Sequence, residues 1–140
     1  MKKMLSLCAL GCTVAFSGCA AFVDKPGESN YSWLGGTLTV VEGSAYGATV
    51  HATMAAMSQL QLSPTVYEQD GFRASIAGSS TFGRFNQSHE IRVWVDNLSD
   101  SATKIRMRIS GRRDQARLRT IHEAIHNRLS VGDAAVSRAN

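Results

Sequence analysis

The most restrictive feature of this chain is a pair of alternating segments on either side of a polar turn. In residues 89–97, Ile91, Val93 and Val95 alternate with Arg92, Trp94 and Asp96. After the turn NLSDSAT, Ile105, Met107 and Ile109 alternate with Lys104, Arg106 and Arg108. Neighbouring side chains of a strand point to opposite faces, so a period of two sends the aliphatic set one way and the charged set the other. Two such strands joined by a short turn make an antiparallel pair with one dry and one wet face. A lone pair cannot bury its dry face, so the rest of the chain must add strands and a cover.

The remaining segments supply both. TLTVVE, residues 37–42, is β-branched and reads as a strand. Gly43 and Ser44 break it, and the Ser44 hydroxyl can cap a following helix. Residues 45–60 carry that helix, with Val50, Met54, Met57 and Leu60 recurring on one face. Ala52, Ala55 and Ala56 keep it slim enough to lie close on a sheet. Its methionines read as core packing rather than metal ligands. Residues 61–69 are extended, and Pro64 suggests an edge or a bulge. Asp70-Gly71 is a hairpin signal, after which Phe72, Ala74 and Ile76 alternate with Arg73, Ser75 and Ala77. Residues 78–83 read as a Ser/Gly loop.

Gly111 ends the sheet, and Asp114 is placed to cap a last helix running to about Leu129. Leu118, Ile121, Ile125 and Leu129 form its apolar stripe. The expected order is β-α-β-β-β-β-α: an α+β two-layer sandwich, its antiparallel sheet of four to five strands carrying both helices on one face. The chain's 140 residues suffice for one domain. It divides into a leader (1–18), a tether (19–36), the α+β domain (37–130) and a flexible tail (131–140).

The N-terminus speaks to location. Lys2 and Lys3 precede an uncharged run over residues 4–23, which contains Phe16-Ser17-Gly18-Cys19. A positive start, an apolar stretch and small residues at a cut site are the parts of a signal peptide. FSGC resembles the lipobox of bacterial lipoproteins, with Phe16 where Leu is commonest. That resemblance implies cleavage before Cys19 and a diacylglyceryl group on its thiol. The rival reading, an uncleaved membrane span, leaves Cys19 unexplained and is weakened by Gly11, Ser17 and Gly18. Each buried methylene contributes ~0.8 kcal/mol of membrane affinity, so two or three acyl chains anchor a protein without a spanning helix. Cys8 and Cys12 would leave with the leader, and the mature chain would keep no free thiol. By the sorting pattern of bacterial lipoproteins, Ala20 rather than Asp after the lipidated Cys implies the outer membrane, facing the periplasm; the alternative is the periplasmic side of the inner membrane. Loss of Lys2 and Lys3 lowers the formal charge from +4 to about +2. That balance argues against a nucleic-acid partner.

A wider resemblance covers most of the chain. Ser44, then Val50-x-Ala52-x-x-x-Ala56-x-x-x-Leu60-x-Leu62, then Glu68-x-Asp70-Gly71 and Ile76-x-Gly78, is similar to a group of small bacterial lipoproteins catalogued as domain of unknown function 3568. The SGCA leader and Gly111-x-x-Asp114 before the last helix match as well. The resemblance implies a lipoprotein with an α+β domain and no established chemistry.

Two candidate sites remain. His122-Glu123-Ala124-Ile125-His126 matches H-E-x-x-H, the zinc-peptidase pattern. Catalytic zinc needs a third protein ligand. The residues after His126 hold no His or Glu, and Asp133 is their sole carboxylate. The two histidines therefore read as the polar edge of a helix, with His122 and His126 kept as weak metal candidates and no cofactor expected. The second candidate is the wet sheet face with Arg92, Trp94, Arg106 and Arg108. Arginine forks match carboxylates and phosphates, and Trp beside Arg marks interface anchors. The bland reading is a solvated face balanced by Glu90 and Asp96. The expectation is a non-enzymatic envelope module held in the membrane through lipid on Cys19, with an envelope protein or anionic lipid headgroups as partner. The alternatives are a small ligand- or lipid-binding lipoprotein and a zinc hydrolase.

Overall fold

The computed structural model describes residues 31–82 and 87–137, and the leader and Cys19 lie outside them. Ser32–Leu34 (β1) and Thr37–Glu42 (β2) form the first hairpin, turned by Gly35 and Gly36 at φ 60 and 83. Positive φ at two successive positions is what the type I′ turn of a two-residue hairpin requires, and glycine adopts it without steric cost. The segment expected to end as a tether at residue 36 thus enters the sheet from Ser32 onward.

Tyr46–Gln59 (α1) follows, then Thr65–Gln69 (β3), Arg73–Phe82 (β4), Gln87–Ser99 (β5), Ala102–Ile109 (β6) and Gln115–Ser137 (α2). Among the described residues the result is α+β, with six antiparallel strands in the order β1-β2-β6-β5-β4-β3 and two helices. The count exceeds the four to five expected because β1 pairs with β2 at one edge. The alternating pair forms the centre: Ile91, Val93, Val95, Ile105, Met107 and Ile109 are all buried. The turn at Asp70 closes as expected, its carboxylate accepting the backbone N–H groups of Phe72 and Arg73. Pro64 precedes an edge strand, and β3 carries a bulge between Val66 and Glu68.

Residues 78–82, expected as a loop, continue β4 and pair with β5. Gly78 explains the difference. A Cβ there would sit 2.5 Å from the Leu62 carbonyl oxygen and 2.7 Å from Met57 Cε. The glycine marks close approach of backbone to strand, not a break in it. Leu62 also accepts a bond from the Ser79 N–H at 2.8 Å.

Both helices cover the dry face: α1 lies over β4, β5 and β6, and α2 over β2 and β6. On α1 the buried set is Thr49, Val50, Ala52, Thr53, Ala56 and Met57, with Met54 and Leu60 half-buried at the flank. The helix is rotated toward its small residues, which let it approach the sheet. Thr49 and Thr53 meet the dry environment by donating their hydroxyls to the carbonyls one turn back, Ala45 and Thr49. Ser44 does not cap α1. Ala45 holds the cap position, and the Ser44 carbonyl accepts the Thr103 hydroxyl instead. On α2 the expected stripe of Leu118, Ile121, Ile125 and Leu129 is buried, and Asp114 caps the start through the Arg117 N–H. The helix runs on to Ser137, past the Leu129 end and into the segment expected as a loose tail. Nothing in that segment stops it: there is no proline, Gly132 costs about 1 kcal/mol, and Ala134 and Ala135 are strong helix formers. Among the described residues no helix is long and apolar enough to cross a membrane.

Candidate functional site

Period-two alternation in β2 sends Leu38, Val40 and Glu42 to the dry face. A carboxylate there is shut from water and needs donors. They come from α2. His122 Nε2 lies 2.5 Å from Glu42 Oε1, and His126 Nδ1 lies 3.1 Å from Oε2. One helical turn separates the two histidines, so both reach the same carboxylate. The other nitrogen of His122 meets Tyr31 at 2.9 Å, and the Arg119 guanidinium lies 5.1 Å over the Tyr31 ring.

His122 is therefore buried, with 0% exposure, where the polar edge of a helix was expected. The flank of α2 is polar because it faces Glu42, not because it faces water. His126, with its side chain 40% exposed, is the solvent-side member of the pair. Burial acts to raise the Glu42 carboxyl, but hydrogen bonds and charge from His122 and His126 outweigh it and hold the group below its ordinary value. An ionised Glu42 only accepts, so Nε2–H of His122 and Nδ1–H of His126 donate. His122 Nδ1, the ring nitrogen turned away from Glu42, is the one within reach of the Tyr31 hydroxyl, so His122 links the carboxylate to Tyr31.

Both histidines of HEAIH thus turn one nitrogen to Glu42, while Glu123 is exposed. Among the described residues no group of three His, Cys, Asp or Glu side chains is placed to hold a metal ion. His51 is exposed on α1, and His89 Nδ1 lies 3.2 Å from the Ser110 carbonyl oxygen. Glu42 is not among the candidate site residues of the sequence. The parity of TLTVVE points Glu42 inward with Leu38 and Val40, and that signal was readable.

Among the described residues the wet face has no helix on it, and its register sorts it into cross-strand rows. One row runs Leu34, Thr37, Arg108, Arg92, Ala77, Thr65; the next runs Ser32, Thr39, Arg106, Trp94, Ser75, Glu68. The third brings Val41, Lys104, Asp96 and Arg73 together. The four expected surface residues are adjacent: Arg92 stands opposite Arg108, and Trp94 opposite Arg106. Arg106 lies over the Trp94 ring at 5.6 Å and reaches Asp96 at 3.0 Å, and Arg73 bonds the same carboxylate at 2.6 Å. Burial tends to raise Asp96, but the bond from Arg73 and the charges of Arg106, Arg73 and Lys104 hold it below its ordinary value. Arg92 bonds Glu90 at 2.6 Å and lies 5.8 Å from the Tyr67 ring centre. Glu90, Arg92, Trp94, Arg108, Ser110 and Gly111 line a shallow cleft of about 360 Å³.

Among solved structures, the chain is similar to the vertebrate conserved region of human METTL16, at 8% identity and a TM-score of 0.47, covering 60% of this chain and 70% of that one. No curated protein matches it. The profile of the proteins of unknown function DUF3568 matches residues 2–128, nearly the whole chain, and with the α+β domain in view the chain belongs to that family.

Proposed function

We propose that this protein is a non-enzymatic interaction module of the bacterial envelope, anchored through lipid on Cys19 and presenting its wet sheet face to a partner. One observation carries the partner reading. The face that neither helix covers gathers Arg92, Trp94, Arg106 and Arg108 into adjacent cross-strand positions. Arginine and aromatic side chains standing together on an uncovered surface have the composition of interface anchors. The anchor reading rests on Lys2, Lys3 and the FSGC segment. Outer-membrane placement, facing the periplasm, follows from Ala20 and belongs to the same proposal.

Two experiments test it. Radioactive palmitate should label wild-type protein and not Cys19→Ala, and the variant should leave the membrane fraction. Labelling or membrane retention of Cys19→Ala sinks the anchor. A photo-reactive residue at position 94 of the full-length lipoprotein should crosslink to one envelope protein in living cells, while the same residue at exposed position 51 on α1 should not. Equal crosslinking from both positions removes the sheet face as the partner surface.

A further inference from the structure

We propose that the cleft between Arg92 and Arg108 takes a side-chain carboxylate of an acidic peptide segment, an assignment that rests on the partner-surface reading above and names what the surface recognises. The starting point is the register. Arg92 and Arg108 are direct cross-strand partners on the same face. Like charges placed directly opposite one another destabilise a sheet. The fold needs neither charge, because both side chains lie on the wet face. The other cations of this face have carboxylates near them: Arg73 and Arg106 bond Asp96, and Lys104 is paired opposite Asp96. Arg108 is exposed and makes no hydrogen bond or ion pair among the described residues.

Arg92 differs from Arg108 in being fixed. Glu90 holds one of its terminal nitrogens, the Tyr67 ring lies beneath it, and its Nε is shut from solvent with no acceptor among the described residues. A pre-set cation beside a free guanidinium fork is an arrangement that an oxyanion completes. The neighbouring charge selects which oxyanion. Glu90 lines the same cleft, so Arg92, Arg108 and Glu90 together carry one net positive charge. That matches a monoanion and disfavours a phosphate monoester, whose second charge would face Glu90. Trp94 and Ser110, also in the lining, supply a flat apolar flank and a hydroxyl for the rest of the segment.

The test uses full-length lipoprotein in detergent, with a hexaglutamate peptide as the probe and thermal unfolding as the readout. Peptide should raise the wild-type melting temperature by several degrees relative to sodium chloride of equal ionic strength. Arg108→Gln should melt higher than wild type without peptide, since the like-charge cross-strand pairing is gone, and should show no peptide-dependent rise. Arg108→Lys keeps the charge without the fork and should lose most of the rise. Arg128→Gln, on α2, should respond as wild type does. A peptide-dependent rise that survives Arg108→Gln, or a lower melting point for that variant alone, overturns the proposal. Vesicles of phosphatidylglycerol that stabilise wild type when the peptide does not would also overturn it, in favour of a lipid headgroup. A crosslink from position 94 with no peptide effect would keep the partner surface and reject the carboxylate. A peptide effect with no crosslink would do the reverse.

Discussion

Glu42 shows how one residue can organise several elements. It is a carboxylate on the dry face of β2 that holds two side chains of α2, one of which holds Tyr31 ahead of β1. Glu42→Gln removes the charge and one acceptor while keeping the shape. It should lower stability by about 1–3 kcal/mol in urea unfolding, the cost of leaving a buried donor with a poorer partner. An unchanged midpoint would mean that the cluster contributes nothing. The acid limb follows from the direction of the shifts. Glu42 and Asp96 both sit below their ordinary values in the folded chain. The stability they contribute is therefore present above the unfolded carboxylate range and is lost as pH falls through the folded values. Melting temperature should drop on acidification below the unfolded values of 4.5 and 3.8, and Glu42→Gln should flatten that drop.

At the scale of elements, the sequence was most readable where pattern and packing coincide. The alternations of β5 and β6 and the stripe of α2 were legible because one face of each meets a continuous core. Gly78 misled because a glycine in a Ser-rich stretch reads as a loop, and the Leu62 carbonyl that demands it comes from another segment. The Gly35-Gly36 hairpin was hidden by a tether-like composition. The buried face of α1 is hidden in the sequence because Thr49 and Thr53 count as polar until their hydroxyls return to the helix backbone. The inward parity of Glu42 was legible, but its histidine partners are joined to it only by the crossing of α2 over β2, which local pattern does not encode. Two substitutions weigh these elements. Gly78→Ala should cost about 1–3 kcal/mol, since the added carbon meets backbone that cannot rotate away. Ile125→Ala, in the fully buried stripe of α2, should cost about 2–5 kcal/mol. Both are measured by chemical unfolding, and a loss of less than half a kcal/mol at either site would contradict the packing described.

For the whole molecule, the two faces of the sheet divide the work. One is buried under α1 and α2, and the other, on the function proposed above, is the face that meets a partner. On the proposed lipid anchor, Cys19→Ala should free the protein from the membrane without changing its melting temperature by more than about 2 °C, because a domain that buries its own core is stable without one. A larger shift would show that lipid and fold are coupled.

The hairpin of β1 and β2 has a mechanical consequence. Tyr31 stands just ahead of β1, at the end opposite the glycine turn, and β1 is a three-residue edge strand. Tension applied from the N-terminal side would load the Tyr31–His122 contact first. Beyond it, β1 would peel from β2 one rung at a time rather than shear along its length. The first seam to give under such a load is thus the one between β1 and β2, and β2, whose Glu42 is pinned to α2, is where the peeling would stop.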